Sequence, residues 1–135
     1  MTKKTQVWKC SLCGNIIEVL HEGTGSLVCC KQSMDKKEEQ NSDSTTEKHV
    51  PIIEATDSGI KVTVGSTLHP MDDKHYIEWI EVINDDHIQK KYLKPGDTPI
   101  VEFCLPFNKN LVAREYCNIH GHWTTKRKGG CCCHA

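Results

Sequence analysis

A chain of 135 residues holds one core of ordinary size with a small satellite beside it, and 37% hydrophobic content is enough to pack a β-rich core. The formal net charge of −1 leaves no electrostatic footprint for nucleic acid or a membrane surface, so neither partner is expected. Nine Cys and eight His are out of proportion. An odd cysteine number fits a disulfide framework poorly, and no apolar signal core follows Lys3-Lys4. The thiols therefore read as free groups in a reducing, cytoplasmic compartment.

Residues 1–37 form a Cys- and Gly-containing unit whose apolar stretches, Ile16 to Leu20 and Ser26 to Val28, are too short to make a core. A unit this small needs a metal or disulfide staple. Cys10-Ser11-Leu12-Cys13-Gly14 is a Cys-x-x-Cys knuckle whose spacer lets both sulfurs face one ion, and Gly14 frees the exit of the turn. Cys29-Cys30 adds an adjacent pair. Four thiolates suit tetrahedral zinc or a single iron. Two disulfides, or a redox-active Cys-x-x-Cys, are the rival readings. Against them, vicinal cysteines bridge only with strain, and no βαβ pattern surrounds Cys10.

Residues 38–48 are polar throughout and read as a solvated connection that ends in Glu47-Lys48. Over 49–126 the pattern changes. Val50 to Glu54, Ile60 to Val64, His75 to Ile83, Ile88 to Leu93, Ile100 to Leu105 and Leu111 to Cys117 are short β-branched or alternating runs. Turn signals separate them, among them Asp57-Ser58-Gly59 and Pro95-Gly96-Asp97. Six or seven strands without a helical pattern between them predict an antiparallel, immunoglobulin-like β-sandwich, with Cys104 buried in one strand. Residues 127–135, with Cys131-Cys132-Cys133-His134, have no apolar periodicity and read as a flexible tail.

The larger segment carries a second group of donors: His49, then His69 and His75 at the two ends of one loop, then Cys117 and His120 within a single turn. Imidazole and thiolate together select iron, zinc or copper over calcium or magnesium. Five donors exceed what a structural zinc closes with, and a five-coordinate iron keeps one position open for chemistry. Each residue has a blander reading, since a lone histidine is more often a surface or hydrogen-bonded residue and Cys117 alone could be a small hydrophobe. His21, His87, His122 and His134 are left in that class.

Taken together, these motifs resemble a known family. The first knuckle with its adjacent Cys29-Cys30 pair is similar to desulforedoxin. Glu47-Lys48-His49-Val50-Pro51, His69-Pro70-Met71, Lys74-His75-Tyr76-Ile77-Glu78-Trp79-Ile80, Leu93-Lys94-Pro95-Gly96-Asp97 and Ala113 through Trp123 resemble desulfoferrodoxin, the two-iron form of superoxide reductase. The similarity runs from about Trp8 to Trp123. The Leu105 to Asn110 stretch departs from the family's usual turn, and the cysteine tail has no counterpart in it.

The resemblance implies two mononuclear Fe ions. Cys10, Cys13, Cys29 and Cys30 hold the first; His49, His69, His75 and His120, with Cys117 as the axial ligand, hold the second. It further implies one-electron reduction of superoxide to hydrogen peroxide at the second iron, with Lys48 and Glu47 beside the open position as catalytic residues. A rubredoxin-like external electron donor and a homodimer are also expected. The rival functions are a non-enzymatic iron electron-transfer protein and a zinc-binding structural module.

Overall fold

The computed structural model describes residues 1–41 and 48–125. The expected site residue Glu47 and the Cys131 to His134 tail lie outside the described residues. The chain divides into two compact units, Met1–Glu38 and Glu39–Ala135. Among the described residues every regular element is a strand, and every strand pairing is antiparallel.

The first unit contains β1 (Val7–Lys9), β2 (Ile16–Glu18), β3 (Val28–Cys29), β4 (Gln32–Ser33) and β5 (Asp35–Lys37). Strands β2, β1 and β5 form one small sheet, and β3 with β4 forms a separate hairpin. Its buried apolar side chains are only Val7, Cys10, Val19 and Met34. So small a core cannot offset the chain's ordering entropy alone, which is the thermodynamic case for a staple here.

The second unit runs through β6 (Pro51–Thr56), β7 (Gly59–Val64), β8 (Ile77–Asn84), β9 (His87–Tyr92), β10 (Ile100–Phe103), β11 (Val112–Cys117) and β12 (Gly121–Thr124). One sheet has the order β10-β7-β6 and the other β12-β11-β8-β9, an immunoglobulin-like division of strands. Strand β7 shows why the sheets pack: Ile60, Val62 and Val64 are fully buried, while Lys61 and Thr63 between them are partly exposed. Opposite them stand Ile80, Val82, Ala113 and Cys117 in the same core. Truncating Ile60 or Ile80 to Ala there would cost about 2–5 kcal/mol.

The pairing of β11 with β8 shifts register between Tyr116 and Cys117. Tyr116 stands opposite Trp79, but Cys117 stands opposite Ile77, so Glu78 is an extra residue. The bulge puts apolar Ile77 beside the Cys117 sulfur where uninterrupted pairing would put the Glu78 carboxylate. The backbone of Glu78 is still used, since its carbonyl accepts the Leu93 N–H at 2.9 Å.

The outer face of the same sheet is also closed. Arg114 is fully buried and forms ion pairs with Glu81 and with Glu39, the latter at 2.8 Å. Trp79 stacks on Tyr116 at 4.9 Å between centroids, and the Lys90 ammonium lies 5.0 Å from the Trp79 ring. Glu39 and Gln40, which the sequence placed in a solvated connection, are thus engaged with the sandwich: Gln40 forms a parallel bridge with Trp123.

Three further details depart from the sequence reading. Strand β8 begins at Ile77, because His75 is drawn into a tight bridge with Asp72. Strand β12 carries no strand signal of its own in the sequence, where Gly121 to Trp123 stand only as part of a motif. Cys104 is exposed, not buried: β10 ends at Phe103, the chain bends, and Leu105 takes the buried position.

Candidate metal centres

In the first unit, Cys10 follows β1 and opens a turn closed by two backbone hydrogen bonds. The Gly14 N–H donates to the Cys10 carbonyl at 3.0 Å, and the Cys10 N–H donates to the Asn15 carbonyl at 2.9 Å. Gly14 has φ 86°, the left-handed conformation its place in the motif called for. The second pair works differently. Cys29 ends β3, and Cys30-Lys31 is the two-residue loop into β4, with φ 54° and 64°. Two left-handed residues in succession are the signature of the hairpin turn whose twist matches its strands. Neighbouring side chains on a strand point to opposite faces, so this turn is what allows consecutive cysteines to reach one point.

The four sulfurs of Cys10, Cys13, Cys29 and Cys30 lie within 4.8 Å of one another, with 3.6 Å between those of Cys13 and Cys29. Cys10 is buried, whereas Cys13 and Cys30 are exposed. The Cys13 N–H, 3.5 Å from the Cys10 sulfur, and the Leu12 N–H help lower the Cys10 thiol to about 6. Hydrogen bonding and crowding with the other three sulfurs push Cys30 up to about 12. One negative charge is thus easy to place in the cluster and a fourth is not. A cation at its centre removes that obstacle, because thiolate ligation and deprotonation are one equilibrium.

In the second unit the structure brings together all four predicted histidines and the predicted cysteine. His49 precedes β6, His69 lies in the loop after β7, His75 precedes β8, Cys117 ends β11, and His120 lies in the turn before β12. Around the ring His49-His69-His75-His120, successive imidazole centroids are 4.8, 4.7, 5.0 and 4.7 Å apart, each pair edge to face. Across the ring His49 and His75 are 6.4 Å apart. Donor atoms of His49, His69, His75 and Cys117 lie within 4.8 Å of one another. His120 joins through Nδ1, 3.0 Å from His49 Nε2 and 3.9 Å from the Cys117 sulfur.

Backbone geometry fixes this ring. Gly65, at φ 84°, approaches so closely that a Cβ on it would lie 2.6 Å from the Lys48 carbonyl oxygen. The His69 Nδ1–H donates to the Pro70 carbonyl at 2.7 Å, which leaves Nε2 with its lone pair. The His120 N–H faces the Cys117 sulfur at 3.5 Å. Trp123 stacks on His49 at 4.6 Å and donates its indole N–H to the His120 carbonyl at 3.2 Å. Cys117 belongs to the hydrophobic core, whereas His75 is partly exposed and His120 exposed, so the ring lies between the core and the surface.

Two observations show that the donor set fits a transition-metal ion. The Nε2 atoms of His69 and His75 are buried and have no hydrogen-bond partner among the described residues, a cost that a metal bond removes. Burial, reinforced by the neighbouring imidazoles, lowers His69 to about 4 and also lowers His75, so both are neutral ligands at neutral pH. Burial raises the Cys117 thiol, opposed by the N–H groups of His120 and Ile119, so a cation is needed to hold it as thiolate.

Lys48 is half-buried, and its charge is among the influences that lower His75. His122 is buried beside Tyr116, 6.3 Å between ring centroids, and stays outside the ring. Gln40 and Gly65 are the participants the sequence reading missed. The left-handed turn that Gly65-Ser66 allows was a readable signal; Gln40 gave none.

The family described as Desulfoferrodoxin matches residues 41–126, and its N-terminal domain matches residues 2–36. The desulfoferrodoxin of Nitratidesulfovibrio vulgaris is 57% identical over 123 residues, covering 91% of this chain and 97% of the relative. Desulforedoxin of Megalodesulfovibrio gigas is 49% identical over 37 residues, which is 27% of this chain and all of that protein. Among solved structures, the superoxide reductase from Treponema pallidum superposes with a TM-score of 0.72 at 28% identity, covering 90% of this chain and 97% of that one. Both units are matched in order and nearly end to end, so the chain belongs to the desulfoferrodoxin family.

Proposed function

We propose that this chain is a superoxide reductase, an oxidoreductase that converts superoxide to hydrogen peroxide, with one iron in each donor set. The observation that carries the reading is the ring of four imidazoles gathered with the Cys117 sulfur, the sulfur in the hydrophobic core and His120 at the surface. Five nitrogen and sulfur donors leave a six-coordinate ion one position short, a position a small anion can take.

Reduction of superoxide requires one electron and two protons for each peroxide formed. A ferrous ion held by His49, His69, His75, His120 and Cys117 would supply the electron. The residues of the chain do the rest. His49, His69, His75 and His120 act as neutral ligands, so the centre keeps net positive charge towards an anion. Cys117 gives a thiolate whose donation is moderated by N–H groups of the turn that follows it. Lys48 adds a positive charge beside His75, attracting the anion and holding charge that develops on oxygen. Glu47, next to Lys48 in sequence and outside the described residues, is proposed with it as a catalytic residue on the strength of the family resemblance. The same reading includes re-reduction by a rubredoxin-like donor, a homodimer and a cytoplasmic location; among the described residues no helix is long and apolar enough to cross a membrane.

The test joins metal assay, visible spectra and stoichiometry. The purified protein should contain two irons with distinct iron–thiolate bands, and should yield one peroxide for each superoxide consumed when a donor is present. His49→Ala and Cys117→Ser should each abolish the second band and the activity while leaving the first band intact. Half that peroxide yield with oxygen release would identify dismutation instead. Zinc in the second centre of fully active protein would refute the reading, and two iron bands without superoxide consumption would identify an electron-transfer protein.

A further inference from the structure

The carbonyl of His120 accepts two side-chain hydrogen bonds. One is the indole N–H of Trp123. The other comes from Gln40, whose Nε2 lies 2.9 Å from that oxygen, with a longer approach of 3.4 Å to the His122 carbonyl. Gln40 is held there by its own backbone: its N–H donates to the His122 carbonyl at 3.0 Å, and its carbonyl accepts the Thr124 N–H at 2.8 Å. These two bonds flank Trp123 and extend the sheet by one residue beside β12. Gly121, at φ 89°, leaves the space: a Cβ there would stand 3.4 Å from Gln40 Nε2.

From this geometry we infer that Gln40 is a positioning residue for the second metal centre, acting through the His120 backbone. The inference rests on the function proposed above. His120 brings two groups to the centre, its Nδ1 and the N–H that faces the Cys117 sulfur. Both hang on one backbone segment in an exposed turn, which the sheet ladder of β11 and β12 does not reach. Fixing the His120 carbonyl from the far side restrains that segment. The Gln40 amide therefore sets the angle of the imidazole and the length of the N–H contact to sulfur, and with them how strongly the thiolate donates.

The experiment compares Gln40→Leu, Gln40→Glu and Gln40→Lys with the parent in the two-iron, full-length protein. None of these three substitutions removes the backbone bonds at position 40, so folding should survive. Gln40→Leu removes the donor, Gln40→Glu replaces it with an acceptor facing a carbonyl oxygen, and Gln40→Lys restores a donor. The second centre's thiolate-to-iron band should shift in the Leu variant, shift further in the Glu variant and return in the Lys variant. Loss of second-centre iron to a chelator should be faster by about three- to tenfold in the Leu variant, as one weakened restraint predicts, and the first centre should not change.

A second-centre band and release rate in Gln40→Leu equal to the parent's would overturn the inference. So would equal shifts in all three variants, which would mean that the position matters only for packing. If Gln40→Leu is recovered without iron, the comparison of Glu with Lys decides. Superoxide consumption by the parent separates the two proposals: when it is present and the variants are silent, only the role of Gln40 falls.

Discussion

Asn118 holds His75 by both of its chain neighbours. Its Oδ1 accepts the Tyr76 N–H at 2.9 Å, and its Nδ2 donates to the Lys74 carbonyl at 3.1 Å, so the amide spans the peptide units on either side of the imidazole. A third bond, from the Asn118 N–H to the Tyr76 carbonyl at 3.1 Å, ties the turn after Cys117 to the loop before β8. Two donors that reach the centre from different hairpins are thereby held at a set separation.

Asn118→Ala keeps the backbone bond and removes the two from the side chain. A cost of about 1–3 kcal/mol in stability of the second unit is expected, together with faster iron release from the second centre. Chelator-release kinetics read at the two iron–thiolate bands would check this. Equal release from parent and variant would show that the amide does not restrain His75.

Gly65→Ala tests the close passage of the chain against Lys48. A methyl group would stand 2.5 Å from the Thr67 carbonyl oxygen and 2.6 Å from that of Lys48, on a residue already left-handed. Backbone atoms cannot rotate away as a side-chain tip does, so a loss of at least about 2 kcal/mol is expected. Because the displaced segment leads into His49, the variant should also bind less iron at the second centre, as a metal assay of the purified protein would register.

Acid should weaken the second centre by a route that the His69 and His75 shifts define. His69 falls from its ordinary 6.5 to about 4, and burial is the largest cause. Its unfolded form takes up a proton below about 6.5 while the folded form does not, so proton uptake favours unfolding as pH drops from 6.5 towards 4. Above 6.5 both forms are neutral and the contribution is flat. Urea midpoints of metal-free protein across this range should therefore decline with falling pH, by up to about 3 kcal/mol from His69. His69→Ala should decline less. A profile unchanged by that substitution would remove His69 as the cause.

Lys31→Gly addresses the first centre. Lys31 and Cys30 are both left-handed, and only Cys30 has a sulfur to justify it. Glycine at position 31 relieves a backbone cost of about 1–2 kcal/mol, partly offset by its greater freedom when unfolded. A net gain of about 0.5–1 kcal/mol is expected, visible as a higher temperature for loss of the first centre's absorbance. An unchanged or lower temperature would mean that the lysine side chain contributes what its backbone costs.

How much of this could be read from the chain depended on whether the chemistry left a mark in residue type. Sulfur and imidazole are rare enough that Cys10-x-x-Cys13, Cys29-Cys30 and the five later donors were legible from spacing and resemblance. The alternation of Ile60, Val62 and Val64 made β7 equally plain. The hairpin turn at Cys30-Lys31 was not legible, because neither residue is a glycine or asparagine and the conformation follows from where the sulfurs must point. Gln40 gave no signal, since one amide in a polar run looks like any other until β12 is beside it. Cys104 misled because an apolar run says that a strand is present, but not at which residue it ends.

The extra residue at Glu78 has a bearing on how this architecture tolerates change. A strand that paired without interruption could slip by two positions and keep its inward set. Here the ladder on either side of the bulge follows a different phase, so slippage that satisfies one stretch ruins the other. The sulfur is indexed to the core by a backbone irregularity as well as by its own place in the chain. Anyone transplanting these five donors into another sandwich would have to carry the bulge with them; pairing Glu78 in regular register would turn its carboxylate towards the thiolate and leave Ile77 facing outward.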